Sequence, residues 1–137
     1  MDEAAKAMLE RATGNGRHEF GSFFLSRLLG IEVAYEGDEC VASFEAAPQL
    51  FNPQGSVHGG VMATALDISM GHLLKHRFGA GSTLEMKLQY FAPVRTGIVR
   101  CRASFLKKGR KIFFLQSFAS DAGGETIAHA TSTWKLI

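Results

Sequence analysis

The sequence predicts an α+β protein in which one antiparallel β-sheet wraps around a single long central helix. The helix prediction comes from residues 58–77, where apolar side chains fall on nearly every side of a helix, so that most of its surface must be buried. The sheet prediction comes from six segments with apolar residues at alternate positions, two before the helix and four after it. A curved sheet around one helix buries the apolar surface of the helix and the apolar face of the sheet at the same time.

The other elements follow from the apolar positions and from the turn-forming residues between them. Residues 3–12 predict an amphipathic helix that ends at Gly14-Asn15-Gly16, and residues 23–29 predict a second, short helix. Residues 48–56 are expected to form a loop. The predicted strands cover residues 31–36, 40–44, 82–91, 97–107, 111–121 and 125–136, with hairpin turns between the last four.

Length and composition predict one domain over residues 1–137, with residues 1–20 as an N-terminal helical extension. The net charge of +2 is too small and too dispersed to indicate nucleic-acid binding, and no segment approaches the roughly 18 consecutive apolar residues of a membrane span. The polar, acidic first residues are not typical of a signal peptide. Cys40 and Cys101 are expected to be buried thiols of a reducing compartment. We therefore expect a soluble, cytoplasmic protein.

One charged side chain interrupts the long apolar helix. Asp67 is the only formally charged residue between Glu45 and Lys75, and a carboxylate in apolar surroundings is costly unless something pairs with it or uses it. The helix begins at His58-Gly59-Gly60, where glycines leave backbone N–H groups exposed at the positive end of the helix dipole. A carboxylate base together with an anion-binding helix start predicts chemistry at a carbonyl group.

Four motifs, taken in order, resemble one known family. They are Leu28-Leu29-Gly30-Ile31-Glu32-Val33, Leu50-Phe51-Asn52-Pro53-Gln54-Gly55-Ser56-Val57-His58-Gly59-Gly60, Asp67, and Tyr90-Phe91-Ala92-Pro93-Val94-Arg95-Thr96-Gly97. Over residues 20–137 the chain resembles the hotdog-fold acyl-CoA thioesterases of the phenylacetate-degradation type. The most diagnostic part is the asparagine, the His-Gly-Gly at the helix start and the carboxylate nine residues after the histidine.

The resemblance implies a hotdog-fold acyl-CoA thioesterase without metal or cofactor, an obligate homodimer that often forms a homotetramer. It implies that Asp67 is the catalytic carboxylate and that the Gly59 N–H polarises the thioester carbonyl. Asn52 would position the water or the carboxylate, and Thr83, early in the third strand, would supply an assisting hydroxyl. Some members of the family carry that hydroxyl one turn after the carboxylate, where this chain has Met70 and Gly71.

The spacing of Gly59 and Asp67 independently predicts a dimer. Eight residues of helix separate them by roughly 12 Å, whereas a reacting carbonyl must lie about 3 Å from its hydrogen-bond donor and from the attacking group. One chain therefore cannot assemble the site. Two antiparallel helices related by a two-fold axis bring Gly59 of one subunit opposite Asp67 of the other, which makes two sites per dimer.

The proposed chemistry leaves two roles open for Asp67, general base on a water or direct nucleophile that forms a mixed anhydride. Partial desolvation is expected to raise its pKa. His58 is a candidate second base, but its position at the helix start favours a capping role.

Each site residue also has a structural interpretation. Asp67 would be a satisfied buried carboxylate, Gly59 and Gly60 would allow close packing, Asn52 would make an Asx turn and Thr83 would be an ordinary strand residue.

Substrate-binding candidates surround this predicted site. Gly60 accompanies Gly59 at the helix start, and Phe51 near the site loop is a candidate wall of an acyl pocket, together with Phe20, Phe23 and Phe24. Basic residues cluster at the hairpin around Gly109, where Lys108 and Arg110 are candidates for the coenzyme A phosphates, as is Arg95 after Pro93. The basic hairpin favours coenzyme A over acyl carrier protein, and the acyl group itself is left open.

His72 and His76 have a spacing that holds metals, but no third ligand is evident and Lys75 and Arg77 would repel a cation, so an exposed helix end is expected. Asp67 and His72 also match the spacing of one hotdog hydratase element, yet five residues of helix place them about 140° apart. A hydratase and a non-catalytic acyl-CoA-binding module are the alternatives to a thioesterase.

Overall fold

The computed structural model describes residues 2–14 and 23–137, and the predicted α+β architecture is confirmed. The helices are α1 (Glu3–Thr13), α2 (Phe24–Leu28) and α3 (Gly59–Arg77), with a 3₁₀ turn at Pro48–Leu50. The strands are β1 (Glu32–Glu36), β2 (Glu39–Glu45), β3 (Gly81–Tyr90), β4 (Ile98–Lys107), β5 (Ile112–Ser120) and β6 (Thr126–Leu136). Each lies within two residues of its predicted position. Asn15, Gly16 and Phe20 lie outside the described residues.

The six strands form one antiparallel sheet in the order β1-β2-β4-β5-β6-β3. The long helix α3 packs on one face of this sheet, because its apolar residues meet the inward-facing side chains of the strands. Buried members of this core include Leu66, Met70 and Leu73 from α3 and Phe44, Phe113 and Leu115 from the sheet. The arrangement is the hotdog fold that the resemblance implies.

Both cysteines are fully buried, as predicted. They lie on the neighbouring strands β2 and β4, facing the core. Burial raises the pKa of the Cys101 thiol to about 12, so it stays protonated and packs as a small apolar group. None of the helices in the described ranges has the length and apolar character that a membrane crossing requires.

The N-terminal helix α1 is attached mainly to α2 by two arginines. Arg11 donates from Nε to the Arg27 carbonyl at 2.9 Å and from Nη2 to the Leu28 carbonyl at 2.8 Å. Arg27 donates in return to the Gly14 carbonyl. Each arginine thus adds a side-chain donor to carbonyl groups at the end of the other helix.

The sequence predicted that His72 is exposed, and this prediction is wrong. His72 is not part of an exposed helix end but is 1% exposed, with Nδ1 3.0 Å from the Ile68 carbonyl and its ring stacked 6.4 Å from Phe23. The prediction was wrong because α3 stays buried through His72 and for two residues beyond it, Leu73 and Leu74. His76, one turn later, is exposed and stacks on Tyr35. Across the described ranges, no three His, Cys, Asp or Glu side chains are grouped closely enough to hold a metal ion.

Gly71 allows a close approach between α3 and β6. A Cβ added there would lie 2.8 Å from Cη2 of Trp134, whose indole is 5% exposed and donates to Ser132 Oγ at 2.6 Å. Because the indole is buried and hydrogen bonded, moving it away from a new Cβ would cost packing contacts and weaken that hydrogen bond. We expect Gly71→Ala to lower the free energy of unfolding by about 1–2 kcal/mol, because overpacking outweighs the gain in helix propensity.

Urea unfolding of Gly71→Ala measures this effect. Gly123→Ala is the matched control, since its new Cβ would meet no atom closer than 3.5 Å. A Gly71→Ala protein as stable as the wild type would show that Trp134 relaxes freely.

Candidate active site

The loop before α3 is closed by Asn52. Its side-chain oxygen accepts from the backbone N–H groups of Gln54 at 3.0 Å and Ser56 at 3.2 Å, and its amide nitrogen donates to Ser56 Oγ at 3.2 Å. This is an Asx turn, one of the two interpretations open from the sequence. It holds the chain at the entrance to α3, and Asn52 also lines the groove beside Gly59.

His58 is the N-cap of α3, the position that the sequence favours for it. Its Nδ1 accepts a 2.8 Å hydrogen bond from the Gly60 N–H, so the proton of the neutral ring must be on Nε2. The lone pair that a base at Nδ1 would use is therefore occupied. The remaining Nε2–H is a donor, and the His58 side chain caps the helix while presenting this donor to the surface.

The backbone donors around the helix start show which N–H group is left for a ligand. The Val57 N–H donates to the Val94 carbonyl, and the His58 N–H donates to the Leu50 carbonyl. The Gly60 N–H donates to the His58 ring, and the next two N–H groups, of Val61 and Met62, donate to the His58 carbonyl. Among the described residues, no acceptor faces the Gly59 N–H. A half-buried donor at the positive end of a 19-residue helix is a strong site for an oxygen that carries negative charge.

A groove of about 310 Å³ lies beside this donor. Its walls come from the Asn52 loop, from the start of α3 and from the end of β3 with the segment that follows it. The side chains that face it are largely apolar, and they include Met62, Tyr90, Val94 and Ile127. The sequence did not identify these lining residues, because alternation along a strand does not show which inward-facing side chain lies near the helix start.

Asp67 lies two turns further along α3. Its side chain is half-buried, and Thr83 Oγ1 on β3 donates to its Oδ1 at 2.7 Å. Burial raises the pKa of Asp67 above its usual range, and the Thr83 hydrogen bond opposes that rise. The carboxylate is thus partly desolvated but keeps one oxygen, Oδ2, outside this hydrogen bond. Ser69, the other nearby hydroxyl, points elsewhere and bonds the Leu66 carbonyl and Ser117.

Gly59 and Asp67 are tied to opposite ends of β3. Tyr90 at the end of β3 donates to the Gly59 carbonyl, whereas Thr83 near its start bonds Asp67. These two anchors are seven positions apart, about 23 Å of extended chain. Within one subunit, the unpaired donor and the carboxylate therefore do not face the same point.

Comparison with known proteins identifies the family. The model of the thioesterase superfamily matches residues 54–128, more than half of the 137-residue chain. The chain belongs to the thioesterase superfamily. The matched region contains the helix start, Asp67 and Thr83. The resemblance seen in the sequence is confirmed, and the protein is a thioester hydrolase.

Individual relatives agree with this assignment. The chain is 26% identical over 130 residues to the medium/long-chain acyl-CoA thioesterase YigI of Escherichia coli K12. The aligned region covers 81% of this chain and 84% of that protein. A Bacillus halodurans protein solved with CoA superposes with a TM-score of 0.86 at 23% identity, over 100% of this chain and 95% of that one. A phenylacetic acid degradation-related protein from Ralstonia eutropha gives a TM-score of 0.77 at 22% identity, over 94% and 98%.

The basic side chains of this thioesterase lie at two different ends of its sheet. Lys108 is in the hairpin beside the start of β3, and its Nζ forms a 2.6 Å ion pair with Asp38. Arg110 in the same hairpin is exposed. Arg95 is also exposed but follows the other end of β3, beyond Tyr90. Lys108 must therefore exchange its Asp38 partner for a phosphate if it binds one.

Of the phenylalanines named from the sequence, those in the described part of the chain do not line the groove beside Gly59. Phe51 and Phe23 are half-buried against the core, and Phe24 is 45% exposed. Phe91, which follows β3, lines the groove instead and is 56% exposed. The aromatic lining of the thioesterase groove is thus supplied by Tyr90 and Phe91, the first two residues of the last motif.

Thr83 has a testable electrostatic effect. Its hydroxyl stabilises the ionised form of Asp67, so Thr83→Val should raise the pKa of Asp67 further. If the carboxylate form is the active one, activity increases as the pH rises through this pKa. We therefore expect the acid limb of the kcat/KM profile to move to higher pH in Thr83→Val.

Thr133→Val is the control for this measurement, because it removes a hydroxyl of the same sheet that bonds Glu85 rather than Asp67. Its profile should match that of the wild type. An acid limb in Thr83→Val that is unchanged or displaced to lower pH would show that the Thr83 hydroxyl does not act on the group whose ionisation controls the activity.

Proposed function

We propose that this thioesterase hydrolyses an acyl-CoA to the free acid and coenzyme A, at sites formed between two subunits. The observation that carries the proposal is that α3 presents an unpaired N–H donor at its start and a carboxylate two turns later. The unpaired N–H of Gly59 supplies an electrophilic contact, and two turns away the partly desolvated Asp67 supplies a carboxylate. Together they are what acyl transfer from a thioester requires.

In the proposed reaction, the thioester oxygen accepts the Gly59 N–H, and the carbonyl carbon is attacked from the Asp67 side. Either Asp67 takes a proton from the attacking water, or Asp67 attacks directly and water then cleaves the mixed anhydride. The negative charge that develops on the oxygen is stabilised by the N–H and by the helix dipole. The C–S bond breaks, and the coenzyme A thiolate leaves and takes up a proton.

The neighbouring residues hold these two groups in place. Thr83 orients one carboxylate oxygen of Asp67 by its 2.7 Å hydrogen bond, which leaves the other oxygen for water or substrate. His58 is proposed to act through capping, with Gly60 donating to it. Asn52 closes the loop that forms one wall of the groove, and we propose that a water held in this groove contacts its side chain during turnover.

A homodimer is part of the proposal, because Gly59 and Asp67 of one subunit do not meet. Two features support pairing along α3 and β3. The strand β3 bonds only β6 within the described chain, so its second edge is open. The α3 face around Asp67 also carries Gly60, Ala63 and Thr64, which are not buried and are small enough for a second helix to approach closely. We propose that two such dimers form a homotetramer.

The choice of coenzyme A as carrier rests on the names of relatives and on charge. YigI is named an acyl-CoA thioesterase, and the Bacillus halodurans protein was solved with CoA. Arg95, Lys108 and Arg110 supply exposed cations for its phosphates. The cytoplasm, where acyl-CoA is made and used, is the proposed location, and residues 1–137 are proposed to act as one domain.

Release of thiol from a panel of short, long and aromatic acyl-CoAs tests the proposal, with an acyl carrier protein thioester as comparison. We expect the wild-type protein to release coenzyme A from at least one class of acyl-CoA. If it binds acyl-CoA but releases no thiol across the panel, the protein is a binding module and the proposal is overturned. Hydration of enoyl-CoA without thiol release would indicate a hydratase instead.

A further inference from the structure

Tyr90 lies at the candidate site but has no role in the reaction proposed above. It is the last residue of β3 and is 52% exposed, and its side chain reaches the first residue of α3, where the hydroxyl donates to the Gly59 carbonyl. The ring also lies against the Gly59 Cα. A Cβ placed on Gly59 would be 3.1 Å from Tyr90 Oη and 3.2 Å from Cζ. Tyr90 therefore fills the space that any other residue at position 59 would need.

The Gly59–Gly60 peptide group is held at both ends. Tyr90 donates to its carbonyl oxygen, and its N–H, which belongs to Gly60, donates to His58 Nδ1 at 2.8 Å. The three groups form one chain of hydrogen bonds that runs from the tyrosine hydroxyl through the peptide to the imidazole. Such bonds polarise one another. Burial raises the pKa of Tyr90 above its usual range, which favours the neutral hydroxyl that donates this hydrogen bond.

This support matters because two consecutive glycines begin the helix. Glycine has more backbone freedom than any other residue, and the first turn of a helix lacks the hydrogen bonds that hold its middle. A donor that stabilises a transition state must already point at the developing charge, since reorganisation during the reaction reduces its benefit. The Gly59 N–H belongs to the preceding His58–Gly59 peptide, whose carbonyl accepts from the Val61 and Met62 N–H groups. The Gly59 torsions join this peptide to the Gly59–Gly60 peptide, so a bond that holds the second peptide also restricts the direction of the N–H.

We propose that Tyr90 is a positioning residue of this thioesterase, whose hydroxyl holds the Gly59–Gly60 peptide so that the Gly59 N–H stays directed at the thioester oxygen. This inference rests on the function proposed above for Gly59. Tyr90 acts through the peptide and needs no contact with the reacting atoms. Its contribution appears only when charge develops on the oxygen, so it raises kcat and leaves substrate binding nearly unchanged.

Tyr90→Phe tests the inference, because it removes the hydroxyl and keeps the ring that lines the groove. We expect kcat for the best acyl-CoA of the panel to fall about 10- to 100-fold, with KM changed less than about twofold. Tyr35→Phe is the matched control, since it removes the other tyrosine hydroxyl of the chain, on β1, and keeps the stacking on His76. Its kcat and KM should equal those of the wild type.

A second readout reports on the peptide without any turnover. With ¹⁵N-labelled protein, the amide proton signal of Gly60 should move upfield in Tyr90→Phe, because a peptide that loses the bond at its carbonyl donates more weakly to His58. The same signal should be unmoved in Tyr35→Phe. An unmoved Gly60 signal in Tyr90→Phe would overturn the hydrogen-bond chain.

The kinetic outcomes separate this inference from the proposed function. A wild type that releases thiol, with a Tyr90→Phe variant of equal kcat, would overturn the positioning role alone. A loss that falls entirely in KM would also overturn it, since it would make Tyr90 only a wall of the groove. A wild type that releases no thiol from any acyl-CoA would overturn the proposed function, and the positioning role with it.

Discussion

Replacement of Asp67 by asparagine is expected to abolish most of the activity and to make the folded protein more stable at neutral pH. The activity should fall on the order of 10²–10⁴-fold, because asparagine neither accepts the proton of water nor attacks a carbonyl. The shape of the side chain is retained, and its oxygen still accepts from Thr83. Thiol release at saturating acyl-CoA measures the loss. Asp121→Asn, a change in a turn on β5–β6, should leave the activity unchanged.

The gain in stability follows from the raised pKa of Asp67. The folded protein holds this proton more tightly than the unfolded chain, so the free energy of unfolding decreases as the pH rises through that pKa. Asparagine does not ionise and avoids this decrease. The Tm of Asp67→Asn should therefore exceed that of the wild type at pH 7, and the difference should shrink as the pH is lowered. A variant that keeps wild-type turnover, or is less stable at pH 7, would show that Asp67 is a structural carboxylate.

Complementation between two inactive variants is the second large effect that we expect. Gly59→Pro removes the N–H that would contact the thioester oxygen, and it should cost about 10²–10³-fold in kcat. Proline suits the first position of a helix, and His58 before it already has φ −58° and ψ 135°, the extended region that a residue before proline prefers. Gly59→Ala is the matched control, since it adds the same Cβ against Tyr90 but keeps the N–H.

Co-expression of Gly59→Pro with Asp67→Asn should restore activity if each site combines Gly59 of one subunit with Asp67 of its partner. In a mixed dimer, one site then receives both mutations and the other receives none. Random pairing in equal amounts leaves about a quarter of the sites intact, so the mixture should show about a quarter of the wild-type activity. The separate variants provide the baseline.

If Gly59 and Asp67 instead act within one subunit, every site in the mixture carries one mutation. The activity of the co-expressed proteins would then stay at the level of the separate variants. Size-exclusion chromatography of the mixture shows that both variants still associate, so that a lack of recovery contradicts the shared site and does not reflect a loss of the dimer.

Local sequence patterns were sufficient for most of the fold. Each strand has its own alternation and is bounded by glycine, proline or aspartate turns, so its limits depend on residues close to it in the chain. The start of α3 was equally local, since His58 caps the helix through the N–H of Gly60, two residues away. Asp67 was found because charge is so rare in that helix, and Thr83 was found through the resemblance to a known family.

The errors and omissions concern contacts between distant segments. His72 was expected at the surface because Lys75 and Arg77 follow it, but the sheet and Phe23 cover its face of α3. Lys108 is paired with Asp38, 70 positions earlier, which no pattern around Gly109 indicates. Tyr90 begins the last motif of the resemblance, but neither the motif nor the alternation along β3 indicated that it contacts Gly59.

The sequence by itself therefore determined the order of helices and strands, the polar groups at the start of α3 and the single carboxylate within it. These depend on periodicity, capping and the cost of an isolated charge, all of which act over a few residues. The tertiary structure decided which N–H stays unpaired, that Thr83 reaches Asp67 and that Tyr90 holds Gly59. Those contacts depend on how β3 crosses α3, and that crossing is set by the packing of the whole sheet.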